Sequence, residues 1–516
     1  MVKDSVAPRA GPTGSSRPKR WEWLLASTIL TLAAARLVPL VVTAWAHTTD
    51  DAYITLRYSR HLAQGMGLVW NVGETPVEGY SNFLFVLIGA AFMRLGIHDP
   101  MPVLKGLGVA SLLGSSVLVF ILGRRWLPPA AATVPLVLLS GYSGTVLWAV
   151  SGLETGVYQC LLLLSVLLVV LAAEKRGGSQ RRALLLGAAV CSVLLSLARP
   201  EGPVIVLVLL LFVAFGCRDE GHRVSLRSVN WLAAPFLSLY IPYFAWRVLY
   251  FGHLVPNSVA CKAGHPAEPF EIITDFVWFG WIYGLLALAS LATTRNARQI
   301  LLWGIPLAYA FILYDVDPIM SHHNRHFLAA LPLLLISATI GIQQLAQLSP
   351  ALVKWRAERW LVAVIVALGA AVTLPALLRD IRVTAADGHP PAAPRRELAT
   401  FLKARLTAED SYVIGDTGLV PFLTGGTVID AYCLNTREAT GPELDGSPDL
   451  LADWILNREA RFIVIQSSHA DILTPVWDAD RAIASHPRLD SEYRQIATFG
   501  RSEDVFHYFL FARSSA

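Results

Sequence analysis

Long apolar runs separated by short polar loops fill the chain up to about residue 378. They cover about 21–46, 102–123, 130–150, 156–173, 183–198, 203–216, 231–250, 271–292, 299–314, 327–347 and 360–378. Most reach or approach the about 20 residues that an α-helix needs to cross a hydrocarbon core. The pattern predicts eleven transmembrane helices. A further apolar stretch, 80–96, must be placed differently. If it crossed, Arg124-Arg125 would fall on the outer side, against the cytoplasmic preference of basic loops. It is therefore expected to lie as a helix at the outer interface.

With that choice the alternation is regular. Residues 1–20 are Pro-, Gly- and Ser-rich and basic, with Arg9, Arg17, Lys19 and Arg20, and are expected to be a disordered cytoplasmic N-terminus. The loops with Arg124-Arg125, Lys175-Arg176, Arg218, Arg223 and Arg227, Arg295 and Arg298, and Lys354, Arg356 and Arg359 all fall inside. Outside fall Asp50-Asp51, Glu154, Arg199-Pro200-Glu201-Gly202, Pro256 to Lys262, and the loop from Asp315 through His326. Arg36, within the first run, is expected to face the bundle or snorkel.

From about residue 379 the pattern changes. Asp387-Gly388-His389-Pro390-Pro391 reads as a linker. Arg395 to Leu406 has helical periodicity, while Ser411 to Gly415 and Arg461 to Ile465 are short buried-strand patterns. Gly425-Gly426 and Asn457 mark turns and helix ends. The expected organisation is a transmembrane domain over 21–378, whose first outer loop is 47–80, and a C-terminal extracytoplasmic α/β domain over 379–516 with its own core.

Composition agrees with this reading. The chain of 516 residues is 54% hydrophobic and 16% charged, where a soluble protein carries roughly a quarter charged residues. Mean hydropathy is +0.51. The net charge of +4 is small and sits in short loops, a topology signal rather than a nucleic-acid-binding one. The five cysteines, Cys160, Cys191, Cys217, Cys261 and Cys433, form no CxxC pair and read as small core residues. There is no phosphate-binding Gly-rich loop, zinc-protease helix or serine nucleophile elbow.

All the candidate chemistry lies on the outer face. Asp50 and Asp51 are adjacent, so they cannot point the same way on a strand and lie about 100° apart on a helix. One is free to act as a base while the other orients it, binds a cation or caps the next helix. Asp50 is favoured as base because Asp51 precedes Ala52-Tyr53-Ile54 in a capping position. Glu78 is either a second carboxylate for sugar hydroxyls or part of the loop structure, and Asn82 or Ser81 either binds or caps. Arg199 is an anion site or one half of a turn ion pair with Glu201. Lys262 and Arg325 are candidates for phosphate, since cations in such loops need a counter-charge. Asp315, Asp317, His322, His323 and His326 make the most polar outer loop, but their spacing fits no closed metal site. No cofactor is expected, with a divalent cation left open.

In order along the chain, Asp50-Asp51-Ala52-Tyr53, Gly65-x-Gly67-Leu68-Val69-Trp70-Asn71 and Val77-Glu78-Gly79-Tyr80-Ser81-Asn82-Phe83-Leu84 resemble the first-loop signature of the terminal arabinofuranosyltransferase-like branch of the GT-C membrane glycosyltransferases. The resemblance continues through Ser151-Gly152-Leu153-Glu154-Thr155, Arg199-Pro200-Glu201-Gly202, Pro256-Asn257-Ser258 with Lys262, Arg325-His326-Phe327, Asp416-Thr417-Gly418 and Val428-Ile429-Asp430. It departs at Cys261 and at Ser321-His322-His323-Asn324.

The resemblance implies a GT-C fold and a multi-pass protein of the cell membrane. It implies inverting transfer of a sugar, arabinofuranose by branch, from a polyprenyl-phosphate donor to a cell-envelope glycan acceptor. Asp50 or Asp51 would be catalytic. Arg199, Lys262 and Arg325 would bind the donor phosphate, and Arg57, Glu78, Tyr80, Asn82, Glu201, Asp317 and His326 the substrates. Two rivals are a transporter or flippase of lipid-linked sugars and a non-catalytic subunit of envelope assembly.

Overall fold

A computed structural model describes residues 19–217, 224–262, 270–291, 297–314, 316–317, 321–347, 358–387, 392–441, 444, 447–502 and 504–514. The expected basic N-terminal segment, most of the linker, and Arg218, Arg223, Arg295, Asp315, Lys354 and Arg356 lie outside the described residues.

Every apolar run forms a helix. In chain order these are α1 (Arg20–Ala44), α4 (Met101–Gly123), the pair α5 (Val134–Ser140) and α6 (Ser143–Val150), α7 (Thr155–Glu174), α8 (Gly178–Ala198), α9 (Gly202–Gly216), α10 (Leu226–Phe251), α12 (Glu271–Leu291), α13 (Arg298–Ile312), α14 (Leu331–Gln347) and α15 (Glu358–Asp387). The first loop adds α2 (Asp51–Ala63) and α3 (Phe83–Arg94), and α11 (Asn257–Lys262) follows α10. Among the described residues six helices are long and apolar enough to cross a membrane, or seven if the pair bent by 62° at residues 141–142 is one span. The protein is a multi-pass membrane protein. Helices α9, α13 and α14 are shorter apolar helices, and α15 runs 30 residues, well past the expected end of its span. Arg36 is buried in the bundle and donates to Thr373 on α15.

Contacts between helix ends show which ends lie together. Arg124 stacks on Trp23 at the start of α1, and Arg125 and Arg298 both pair with Glu174. At the other end, Lys105 near the start of α4 donates to the carbonyls of Trp45 and His47 just after α1, and the Thr49 N–H bonds to Ser151. The chain thus leaves α1 and enters α4 at one end of the bundle. Helices α2 and α3 lie between these points and do not carry the chain across, as the charge pattern requires of residues 80–96.

On that end sits the C-terminal domain. Its helix α16 (Ala392–Lys403) and strands β1 (Ser411–Ile414) and β3 (Phe462–Ser467) stand where periodicity places them. Strands β2 (Thr427–Asp430), β4 (Tyr493–Phe499) and β5 (His507–Arg513) complete a sheet ordered β2-β1-β3-β5-β4, parallel across β2-β1-β3 and antiparallel beyond. Short helix α17 (Leu419–Thr424) leads into β2 through Gly425-Gly426, both at positive φ (74° and 70°), a turn that glycine adopts without steric cost. Helices α18 (Pro448–Leu456) and α19 (Asp478–Ser485) cover the far face with Val413, Ile463, Ile465 and Phe509.

The near face corrects one expectation. The domain does not have a core wholly its own: Tyr412, Val428, Val464 and Leu510 pack in one cluster with Ile54, Tyr58, Leu68, Trp70 and Tyr80 of the first loop. Asn71 even behaves as a strand neighbour of β2. Its Oδ1 accepts from the Val428 N–H and its Nδ2 donates to the Val428 carbonyl, both at 3.0 Å. The cysteine reading changes too, because Cys261 next to Lys262 is disulfide-bonded to Cys433 across 172 residues. Neither partner lies near the other in sequence, so no spacing announced the pair.

Candidate functional site

Asp50 is the N-cap residue of α2, and Asp51 is its first helical residue, but the Asp50 side chain does not cap its own helix. Its Oδ2 accepts from the Gly418 N–H at 2.7 Å and its Oδ1 from the Leu419 N–H at 2.9 Å, at the start of α17. Arg395 Nε lies 3.4 Å from the same carboxylate and 2.6 Å from Asp416, which also accepts from the Tyr508 hydroxyl. A Cβ at Gly418 would stand 2.1 Å from the Asp50 carbonyl oxygen, so the approach requires glycine. Burial pushes the Asp50 carboxyl up to about 8 against the pull of Arg395, and neighbouring Asp416 adds to the rise. Asp416, buried as well, is held below the usual range by Arg395. Asp50 therefore clamps the first loop to the C-terminal domain.

Asp51 faces elsewhere. Its Oδ2 lies 3.8 Å from Lys262 Nζ, with the two side chains 31% and 21% exposed. Burial lowers the Lys262 ammonium and Asp51 opposes that shift. The Lys262 carbonyl accepts from the Asp317 N–H at 3.0 Å, which brings Asp317 beside it.

Behind this pair is a hub that gathers the expected Asn82, Arg199, Glu201, Arg325 and His326 around Glu154, the one member the residue-by-residue reading did not select. Glu154, the N-cap residue of α7, is buried and accepts from Arg199 at 3.2 Å, Arg325 at 3.2 Å and Asn82 at 2.9 Å. Arg199 also donates to both oxygens of Glu201, at 2.7 and 3.2 Å, and to Nδ1 of His326 at 3.0 Å. That bond and the two guanidinium groups suit a neutral imidazole, and burial with Arg199 and Arg325 pushes His326 well down. Arg325 adds a bond to Thr155 and lies over the Trp148 ring. The signal for Glu154 was present in the sequence: a lone carboxylate at the head of an apolar run.

Other expected substrate contacts are used internally. Glu78 makes a buried ion pair with Arg247 of α10, at 2.8 Å. Arg57 donates to the carbonyls of Trp70, Pro421 and Gly426 and to Asn71. Tyr80 is buried among Tyr58, Phe83 and Phe251, and Asn82 bridges Thr55 and Glu154. The cause is common to Arg57, Glu78 and Asn82: the loop is sandwiched between bundle and domain, so buried polar groups take partners there. The Tyr80 ring is packed in the same layer, but its buried hydroxyl has no hydrogen-bond partner among the described residues.

Beside Asp317 a cleft of about 790 Å³ opens between the bundle and the domain. Among the described residues no group of three or more His, Cys, Asp or Glu side chains is placed to hold a metal ion.

Comparison with known proteins follows this geometry. A family model described as "Domain of unknown function (DUF8728)" matches residues 381–512. The chain is similar to the "Terminal beta-(1->2)-arabinofuranosyltransferase" of Mycobacterium tuberculosis (strain ATCC 25618 / H37Rv), with 29% identity over 224 residues. That match covers 41% of this chain and 34% of the relative, so the chain spans about a third of the length of the curated relative. Among solved structures it is similar to ArnT from Cupriavidus metallidurans bound to undecaprenyl phosphate, with TM-score 0.57 and 15% identity over 95% of this chain and 98% of that one. It is also similar to the archaeal oligosaccharyltransferase AglB from Archaeoglobus fulgidus, in complex with an inhibitory peptide and a dolichol-phosphate. There the TM-score is 0.58 and identity 12%, over 86% of this chain and 70% of that one. The fold is that of the GT-C glycosyltransferases, as the first-loop motifs implied.

Proposed function

We propose that the chain is an inverting glycosyltransferase that moves a sugar, arabinofuranose in the first instance, from a polyprenyl-phosphate to a glycan acceptor at the outer membrane face. The observation that carries this reading is the Asp51–Lys262 pair at 3.8 Å, with both side chains partly exposed and Arg325 near enough to act electrostatically on the pair. It puts an available carboxylate and a cation side by side. Asp51 takes the proton of an acceptor hydroxyl, whose oxygen attacks the anomeric carbon. The bond from that carbon to the phosphate oxygen breaks, and the lipid phosphate leaves with its charge met by Lys262 and Arg325. A single displacement inverts the anomeric centre.

This reading reassigns two residues. Asp50, with both oxygens held by backbone N–H groups, is a clamp rather than the base. Arg199, held by Glu154 and Glu201, orients the hub and does not meet the phosphate. The lipid-phosphate donor is supported by the undecaprenyl phosphate and dolichol-phosphate bound in the two similar structures. The sugar is supported by the similarity to the terminal arabinofuranosyltransferase.

The test uses purified protein in nanodiscs with radiolabelled decaprenyl-phosphate arabinofuranose and an oligosaccharide acceptor, followed by linkage analysis. A new inverted glycosidic bond is expected, and Lys262→Ala should raise the KM for the lipid donor. Transport of intact lipid-linked sugar in proteoliposomes, with no new bond formed, would overturn the reading.

A further inference from the structure

The cleft beside Asp317 lies outside the residues assigned to the transfer step. At about 790 Å³ it has the size of a ligand site. Its floor is aromatic: the rings of Tyr432 and Trp477 meet edge to face, with centroids 5.4 Å apart and planes at 71°. The indole N–H of Trp477 is already donated to Gln466 at 2.7 Å, so the ring is held in place where it lines the cleft. Tyr432 is held by its N–H bond to Asp430 at 2.7 Å. Its neighbour Cys433 is joined by the disulfide to Cys261, the residue before Lys262. The aromatic floor is thus covalently tied to the Asp51–Lys262 pair.

The walls carry Glu271 and Asp275 from the first turns of α12, Asp317, and Asp478 at the start of α19. Among the described lining residues none is Lys or Arg. Ionised carboxylates accept hydrogen bonds and donate none. They fit a ligand rich in hydroxyl donors and repel an anionic one. Part of the charge of Asp478 is met by Arg481, while Glu271 and Asp275 are exposed to the opening. An aromatic corner with acceptor walls suits the apolar ring face and hydroxyl rim of a sugar. It does not suit a lipid tail or a phosphate.

We propose that this interdomain cleft seats the acceptor, and that it selects an uncharged glycan, stacked on Trp477 and Tyr432 with its hydroxyls directed to the acidic walls. The inference rests on the glycosyltransferase reading for what happens to the bound glycan, but glycan binding itself does not depend on it.

The experiment measures binding by saturation-transfer NMR and calorimetry, using full-length protein in nanodiscs without any lipid donor. The probes are a neutral arabino-oligosaccharide and an oligogalacturonide of equal length. The neutral probe should bind and the carboxylated one should not. Trp477→Ala should weaken the neutral probe by about tenfold, the order of one lost aromatic contact, whereas Trp477→Phe should keep most of the affinity. Neutralising the two wall residues of α12, Glu271→Gln with Asp275→Asn, should admit the oligogalacturonide, and this arm stands even if Trp477→Ala fails to fold.

Absence of neutral-glycan binding, or equal binding of both probes to the unaltered protein, would overturn the cleft proposal. So would an unchanged affinity in folded Trp477→Ala. Normal transfer with an unchanged acceptor KM in that variant would remove the cleft and spare the glycosyltransferase reading. Glycan binding with no transfer from lipid donors would do the opposite.

Discussion

Adjacent Asp50 and Asp51 should fail in different ways when replaced, and the sizes follow from their partners. Asp51→Asn removes the proposed base. Loss of a general base typically costs about 10²–10⁴ in rate, or roughly 3–5 kcal/mol of barrier. Its structural cost is small. At 3.8 Å the Lys262 pair has a Coulomb energy of about 4 kcal/mol at an effective dielectric of 20. With both side chains partly exposed, solvent screening reduces that to about 1 kcal/mol or less. Asp50→Ala has the reverse profile. It strips the acceptor from the Gly418 and Leu419 N–H groups, each worth roughly 1–3 kcal/mol if left unsatisfied. Arg395 keeps Asp416, so no cation is orphaned. The sum is about 2–3 kcal/mol of docking once water reaches one of the two donors. The assay is kcat and KM in nanodiscs, run beside thermal melting and protease resistance of the C-terminal domain. Asp51→Asn should lose kcat with an unchanged melt. Asp50→Ala should melt early and become protease-sensitive, with kcat within about tenfold at saturating acceptor. Gly418→Ala should copy the Asp50→Ala docking defect, because its Cβ would press on the Asp50 carbonyl oxygen. If folded, docked Asp50→Ala loses more than about a hundredfold in kcat while Asp51→Asn stays active, the assignment is reversed.

Three further outcomes are expected. Glu78→Ala leaves Arg247 buried without its carboxylate and should cost about 3–5 kcal/mol in stability; Glu78→Ala with Arg247→Leu should recover much of it, and a raised acceptor KM in a fully stable Glu78→Ala protein would restore a substrate role. Replacing Cys261 and Cys433 by Ser opens a loop closed over 172 residues and should weaken domain docking by about 2–5 kcal/mol, read as faster proteolysis of the domain; identical proteolysis would refute it. Burial raises Asp50 to about 8, Glu78 and Asp480 to about 7, and Asp430 to about 6. Each binds its proton more tightly in the folded, docked state, so the resulting stability is full below the ordinary carboxylate range and is lost as pH rises through about 6 to 8. The domain should melt higher at about pH 5.5 than at about pH 8.5, Asp480→Asn should flatten the slope, and a melt that rises with pH would contradict the assignment.

The helices of the bundle were legible because the bilayer imposes a length on each apolar run and a side on each basic loop. Arg125 and Arg298 converging on Glu174 is the geometric form of that same constraint. Strands β1 and β3 were legible as short buried runs. Strands β4 and β5 were not, because their pairing is decided by partners far along the chain, and β4 alternates only weakly, with Arg494 and Gln495 exposed. The first-loop motif marked the region on which the C-terminal domain packs, but not the partners within it. The resemblance implied substrate contacts at Arg57, Glu78 and Tyr80, and no pattern within the loop announced the partners they have in the fold: carbonyls of the C-terminal domain for Arg57, Arg247 for Glu78 and an aromatic cluster for Tyr80.

The sequence by itself determined the apolar helices, though not how many of them are long enough to cross a membrane, together with the α/β character of the C-terminal segment and the place where charge gathers at one end of the bundle. Those are properties of local composition and period. Only the tertiary structure gave Asp50 and Asp51 different partners, since one residue's difference in helical phase sends one carboxylate to the Gly418 and Leu419 amides and the other to Lys262. It alone joined Cys261 to Cys433, gathered Arg199 and Arg325 on Glu154, and closed an aromatic-floored cleft between the two domains. Each of these depends on residues far apart in the chain, whose meeting is set by packing and not by any pattern within a single segment.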